Sequence, residues 1–317
     1  MSTLNLPRSL TWARELTMLP VLVVLVIALA VFEPTLLSPG NLLNVLSQSA
    51  VVAIAAIGAT FVILTGGIDL SVGSTIGASG VTAAAVMQAT DSIALGVIAG
   101  LAVGCVVGLL MGILINRLNL VPFVVTLAGL FIIAGATTLL SNGATISHLP
   151  TAFTGITVTT FLGIPIPVFI AVILYIVAQL VLSTTVWGRR LVLLGASRKT
   201  STISGSAVGR VEISAYMVAG LFASIAGIVL TAGLFAANAS MGTNMLLNVI
   251  GAVVIGGTSL FGGRGSVARA AIGVLLLGFL ANGMNLIGLA SYDQVAVTGL
   301  VILAAASLDA ALHRRRR

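Results

Sequence analysis

Few residues in this sequence are arranged to make or break a covalent bond. Its seven acidic residues are scattered, and no H-E-x-x-H or G-x-S-x-G pattern occurs. His148 has no Cys, His or carboxylate at metal-ligand spacing and reads as a loop residue. The single cysteine, Cys105, rules out an intrachain disulfide and lies in an apolar run as a small packing residue. Gly195-Ala-Ser-Arg-Lys199-Thr200 approaches a phosphate-binding loop. It carries Arg198 where glycine is needed, and it is too short for G-x-x-x-x-G-K-[ST]. Lys199 is the only lysine, so no ATP-hydrolysing site is expected in this polypeptide. The expectation is a transport component rather than an enzyme, with no metal or cofactor bound by the chain.

Polar chemistry gathers instead at Val62 to Gly77, VILTGGIDLSVGSTIG, where an apolar run breaks at paired glycines, a carboxylate and two serines. Gly66 and Gly67 can take positive φ and end a helix. Asp69, Ser71 and Ser74 can accept hydrogen bonds from the free amides of the next helix, whose dipole favours a carboxylate. Non-helical backbone at membrane depth survives only inside protein or beside water. An ionisable residue there is also a candidate for substrate contact, so a capped turn and a pathway residue both stay open for Asp69.

The elements that hold this stretch are membrane helices. The 317 residues are 59% hydrophobic and only 7% charged, with a mean hydropathy of +1.23. A soluble surface needs roughly 25% charged residues, so most of this one faces lipid. Runs long enough to cross about 30 Å of hydrocarbon fall near 16–33, 46–64, 74–90, 92–115, 121–140, 165–186, 213–234, 244–260, 269–288 and 294–311. The expected fold is an all-α polytopic integral membrane protein of about ten transmembrane helices with broken or re-entrant segments, a single domain over 1–317.

The net charge of +7 suggests nucleic acid only until its distribution is read. With both termini cytoplasmic, Arg8, Arg14, Arg117, Arg189, Arg190, Arg198, Lys199, Arg210, Arg264, Arg269 and Arg314 to Arg317 all fall inside, while Glu33, Asp91 and Asp293 fall outside. No nucleic-acid partner is implied. Ala28-Leu29-Ala30 resembles a signal-peptide cleavage site, but the charge distribution favours an uncleaved first helix.

Glycines 96, 100, 104, 108 and 112 stand four apart and line one helix face, as a tight helix–helix seam in lipid requires. The longest outer segment, Ser141 to Pro167 with its loop at 141–164, is uncharged and rich in Thr, Gly and Pro. The largest inner segment, Trp187 to Ser214, is basic and can touch anionic lipid.

Thr65-Gly-Gly-Ile-Asp-Leu-Ser-Val-Gly-Ser74 and Gly256-Gly-Thr-Ser-Leu-Phe-Gly-Gly-Arg-Gly-Ser266 resemble the two signature loops of the ribose-type ATP-binding-cassette importer permeases, a family also similar to branched-chain amino acid permeases. Val121-Pro-Phe-Val-Val-Thr-Leu127, Gly188-Arg189 and Ser204-Gly205 extend the likeness over nearly the whole chain. The resemblance implies a permease subunit in the bacterial inner membrane that moves a small sugar by alternating access. It implies a second permease copy or homologue, a periplasmic or lipid-anchored binding protein, and a separate ATPase subunit that binds ATP with magnesium. It also makes 187–214 the cytoplasmic segment that couples to the ATPase, through Gly188, Arg189, Gly195, Ser197, Arg198, Lys199, Thr200, Ser201, Ser204 and Gly205.

The second signature loop contributes Gly256, Gly257, Gly262, Gly263, Arg264 and Gly265. Because amides read sugar hydroxyls as paired donors and acceptors, Asn44, Gln48, Asn248, Asn282 and Asn285 are the candidate substrate contacts. Each equally suits an interhelical hydrogen bond. The chain departs from the family at Ala196, Ser197, Thr200 and Ser201, and at Ile133-Ala134-Gly135, where the family commonly has an arginine. Import of branched-chain amino acids or nucleosides by the same fold is the alternative. An ion-coupled transporter is a further one, though it would want more buried carboxylates.

Overall fold

The computed structural model describes residues 18–314, and over them the chain is a helical bundle. Arg8, Arg14 and Arg315 to Arg317, on which the topology expectation leans, lie outside the described residues. In chain order the helices are α1 (Leu19–Phe32), α2 (Pro39–Leu64), α3 (Val72–Thr90), α4 (Ile93–Arg117), α5 (Pro122–Leu140), α6 (Thr151–Val158), α7 (Ile166–Thr184), α8 (Val186–Ala196), α9 (Arg198–Ile203), α10 (Val208–Leu234), α11 (Leu246–Ile255), α12 (Val267–Leu286) and α13 (Ser291–Arg314).

Six of these, α2, α4, α5, α7, α10 and α12, are long and apolar enough to cross a membrane. The chain is therefore a polytopic helical membrane protein. The remaining expected spans differ from these six for physical reasons. α3 is diluted by Gly, Ser and Thr but is mostly buried within the bundle, so it needs no lipid-facing apolar surface. α11 has ten residues, about 15 Å of helix, or half the hydrocarbon thickness. α1 at 14 residues is also short.

α2 is the axis of the bundle, with 72% of its apolar window buried. Ser38 caps it through the Asn41 amide, with Pro39 following in the first turn. The glycine ladder of α4 packs on two neighbours in succession. A side chain at Gly96 or Gly100 would strike the Ala83 or Ser79 carbonyl of α3. One at Gly104, Gly108 or Gly112 would strike the α10 backbone at Gly220, Tyr216 or Ile213. The four-residue spacing drifts across the helix face, which carries the seam from one partner to the next.

One connecting segment departs from the all-α expectation. Ser141 to Pro167 contains α6 and a two-residue hairpin, β1 (Thr160–Phe161) paired antiparallel with β2 (Ile164–Pro165). Leu162 and Gly163 turn it, both at positive φ. Neither element has hydrophobic periodicity long enough to register in the sequence.

Candidate functional site

The two signature turns begin with the same backbone device. At the end of α2, the Gly66 amide donates to the Ile63 carbonyl at 2.9 Å and the Gly67 amide to Val62 at 3.3 Å. At the end of α11, Gly257 donates to Val254 at 2.8 Å and Thr258 to Val253 at 3.2 Å. Gly66 (φ 84°) and Gly257 (φ 85°) take the left-handed position that this Schellman cap demands. Gly67 does not have positive φ. It must be glycine because a side chain there would meet the Tyr216 hydroxyl of α10.

Asp69 is buried and forms the capped turn. Its Oδ1 accepts from the Ser71 amide at 2.8 Å and the Ser71 hydroxyl at 2.6 Å. The expectation for the two serines is corrected, because both act as donors. Ser71 donates to Asp69, and the Ser74 hydroxyl donates to the Ser71 carbonyl at 2.9 Å. Ser71, at the N-cap position of α3, makes no side-chain bond to a helix amide; its hydroxyl turns back to the Asp69 carboxylate instead. The Thr126 hydroxyl of α5 bridges the turn to its helix, lying 2.9 Å from the Pro122 carbonyl and 3.1 Å from the Ile68 carbonyl with one proton shared between them.

The first turn, the second signature loop and the end of α8 meet backbone to backbone. The Gly263 amide donates to the Leu64 carbonyl at 2.9 Å. A side chain at Gly195 would overlap that carbonyl and the Gly263 amide, and one at Gly262 would stand 2.7 Å from the Gly66 nitrogen and 3.0 Å from the Gly195 Cα. Ala196 packs directly on Gly263. The second loop closes through Ser259, whose amide donates to the Arg264 carbonyl. Gly256 fits under the Arg269 carbonyl, and Gly265 fits against Thr258 and Leu64. Arg264 is exposed, and Phe261 at the loop tip is 92% exposed.

The Trp187–Ser214 segment is built around this junction. Gly188 fits under the Leu182 carbonyl, where α7 turns into α8, and its amide donates to the Thr185 hydroxyl at 3.1 Å. The Arg189 guanidinium donates to the Thr184 carbonyl. Ser197 caps α9 by accepting from the Thr200 amide at 3.1 Å, a task serine and asparagine perform alike. Lys199 is exposed, and Ser201 is buried with its hydroxyl unpartnered. Ser204 bonds the Ser201 carbonyl, and Gly205 (φ 73°) ends the helix.

Two residues that the sequence reading missed complete the site. Arg198 makes a bidentate pair with Glu212 of α10, at 2.8 and 2.9 Å, and Asn116 of α4 donates to the same carboxylate at 2.8 Å. The hydrogen-bonded carboxylate pushes the Arg198 guanidinium above its ordinary pKa. Among the described residues this is the one ion pair.

Asn44, Gln48, Asn282 and Asn285 lie toward the opposite end of the bundle, and Asn248, in the first turn of the ten-residue α11, lies about halfway. Asn44 and Gln48 are exposed on α2, Asn248 is half-buried on α11, and Asn285 is exposed in the last turn of α12. Asn282 is engaged by Asn41 of α2 in a reciprocal amide pair of 2.8 and 3.0 Å, the interhelical role left open for it. None of the five lines the cavity of about 480 Å³ between α2, α7 and α12.

The chain matches the family described as branched-chain amino acid transport system / permease component over residues 41–306. It is 41% identical over 291 residues to the ribose import permease protein RbsC of Bacillus subtilis (strain 168), covering 91% of this chain and 90% of that protein. Its identity to the ribose import permease protein RbsC of Escherichia coli (strain K12) is 38% over 308 residues, 94% of each. To the L-arabinose transport system permease protein AraH of Escherichia coli (strain K12) it is 33% over 300 residues, 95% of this chain and 92% of that protein. No solved structure matches the chain. The family resemblance read from the two signature loops is borne out.

Proposed function

The chain belongs to the branched-chain amino acid transport system / permease component family, and from that premise we propose that it is the permease of a ribose-class monosaccharide importer. It is a transport subunit of an ATP-binding-cassette system in the bacterial inner membrane, and the ATPase is a separate subunit. The observation that carries the sugar reading is 41% identity, over nine-tenths of the chain, to a protein named as a ribose import permease.

In this reading both termini are cytoplasmic, the chain spans about ten times, and the end carrying the signature turns faces the cytosol. The described basic residues support that orientation. Arg117, Arg189, Arg190, Arg198, Lys199, Arg210, Arg264 and Arg269 all lie at or beside that end. The ATPase, holding ATP with magnesium, docks on α8 and α9, where Lys199 and Ile203 are exposed beside the Phe261 loop. A binding protein delivers the sugar to the opposite face, and a second permease copy or homologue completes the pathway.

Alternating access then needs a firm connection between the cytosolic segment and the helices. The junction supplies one. Gly195 and Gly263 leave no side chain between α8, the end of α2 and the second signature loop, so displacement of α8 reaches both signature segments without passing through a flexible contact.

Affinity purification of the tagged chain from its own membranes tests the reading. Recovery of a two-domain ATPase, together with a binding protein that holds ribose, is expected. Recovery of the chain alone across several mild detergents, with ATP present, would contradict it.

A further inference from the structure

The ion pair between α9 and α10 lies at the signature-turn end of the bundle, apart from the candidate amides, so the reading of those amides does not account for it. Glu212 is nearly buried, with its side chain 7% exposed, whereas Arg198 is 53% exposed. Both carboxylate oxygens are occupied. Oε1 accepts from Arg198, and Oε2 accepts from Arg198 and from Asn116. A buried carboxylate held by a single cation is costly to strip of that cation, and the bidentate fork fixes direction as well as distance. α9 is therefore tied to α10 more firmly than its short length and polar composition would allow.

What lies behind Glu212 decides where that tie leads. Asn116 closes the inner end of α4, and a side chain at Gly209 of α10 would stand 2.6 Å from its Oδ1. From there Gly112, Gly108 and Gly104 press the α4 backbone onto α10. Two helices packed backbone to backbone shift together rather than separately. Trp187 adds a second tie, donating through Nε1 to the Ser214 hydroxyl of α10 at 2.8 Å.

We propose that Glu212 is a positioning residue of the transport cycle. Together with Arg198 and Asn116 it fastens the ATPase-facing helix α9 to the α4–α10 pair, so that movement imposed on α9 is delivered to both helices as one body. The proposal rests on the importer reading, and it assigns the tie to coupling rather than to assembly.

The test uses the complete complex from its own membranes, reconstituted in liposomes. Three quantities are measured: ATPase subunit retained per permease, ATP hydrolysis with and without ribose-loaded binding protein, and ribose taken up per ATP. Arg198→Ala is expected to retain the ATPase subunit while stimulation by the loaded binding protein and uptake per ATP fall at least ten-fold. Arg198→Lys, which keeps the charge without the fork, should recover part of that loss. The neutral pair Arg198→Gln with Glu212→Gln leaves no uncompensated buried charge; it should accumulate normally and still be uncoupled, which decides the matter where single variants fail to fold.

Wild-type uptake per ATP in the neutral pair overturns the proposal. So does loss of the ATPase subunit on Arg198→Ala, because Arg198 would then be an interface residue. If the unaltered chain carries no ATPase subunit, the importer reading fails first and this inference falls with it.

Discussion

A side chain at Gly67 would meet the Tyr216 hydroxyl, an oxygen that is buried and has no hydrogen-bond partner among the described residues. Overpacking of this kind costs about 1–3 kcal/mol, and a buried hydroxyl without a partner does not stabilise the fold. Gly67→Ala should therefore lower the unfolding midpoint of the detergent-solubilised protein. Tyr216→Phe alone should leave it unchanged or raise it, and the double variant should regain most of the loss. Asp69 poses a different question at the same scale. Because its Oδ1 holds the Ser71 amide and hydroxyl, the turn asks for an acceptor rather than a charge. Asp69→Asn should keep ribose uptake near the wild-type rate, whereas Asp69→Ala should lose about 0.5–2 kcal/mol of stability as a lost cap does. Abolished uptake in an Asp69→Asn protein that assembles would place the charge in the pathway.

Helices were the legible part of this chain, because an apolar run of about 20 residues has few other fates. The glycine ladder was legible for a similar reason, since five small residues at one spacing define a face whatever the neighbour. Its neighbours were not legible. Nothing in the spacing says that Gly100 packs on α3 and Gly108 on α10. Leucine at position 108, forced against the Tyr216 carbonyl, should stop the protein accumulating in membranes. Leucine at position 135, where nothing stands within 4 Å, should be tolerated, and quantitative immunoblotting of membrane fractions distinguishes the two. The Arg198–Glu212–Asn116 cluster was illegible for another reason: Asn116 and Glu212 are 96 residues apart, and a lone glutamate beside a basic run reads as ordinary surface charge. The hairpin at Thr160–Pro165 escaped notice because two-residue strands carry no period.

Seen as a whole, the molecule is polarised. Its described cations, both signature turns and α8–α9 occupy one end, and the amides of Asn41, Asn44, Asn282 and Asn285 lie toward the other. That division fits a subunit that receives an uncharged substrate at one face and a separate motor at the other. Lys199→Glu with Ile203→Asp, both on exposed positions of α9, should reduce ATPase recovery on the tagged chain several-fold without lowering permease abundance. Passage of a monosaccharide across the membrane at the expense of ATP hydrolysed on a separate subunit can be measured as uptake of radiolabelled ribose into liposomes containing the purified complex, with binding protein on the outside and ATP within. Accumulation that requires both the binding protein and hydrolysable ATP is expected. Uptake that persists without the ATPase subunit and follows a proton or sodium gradient would contradict it.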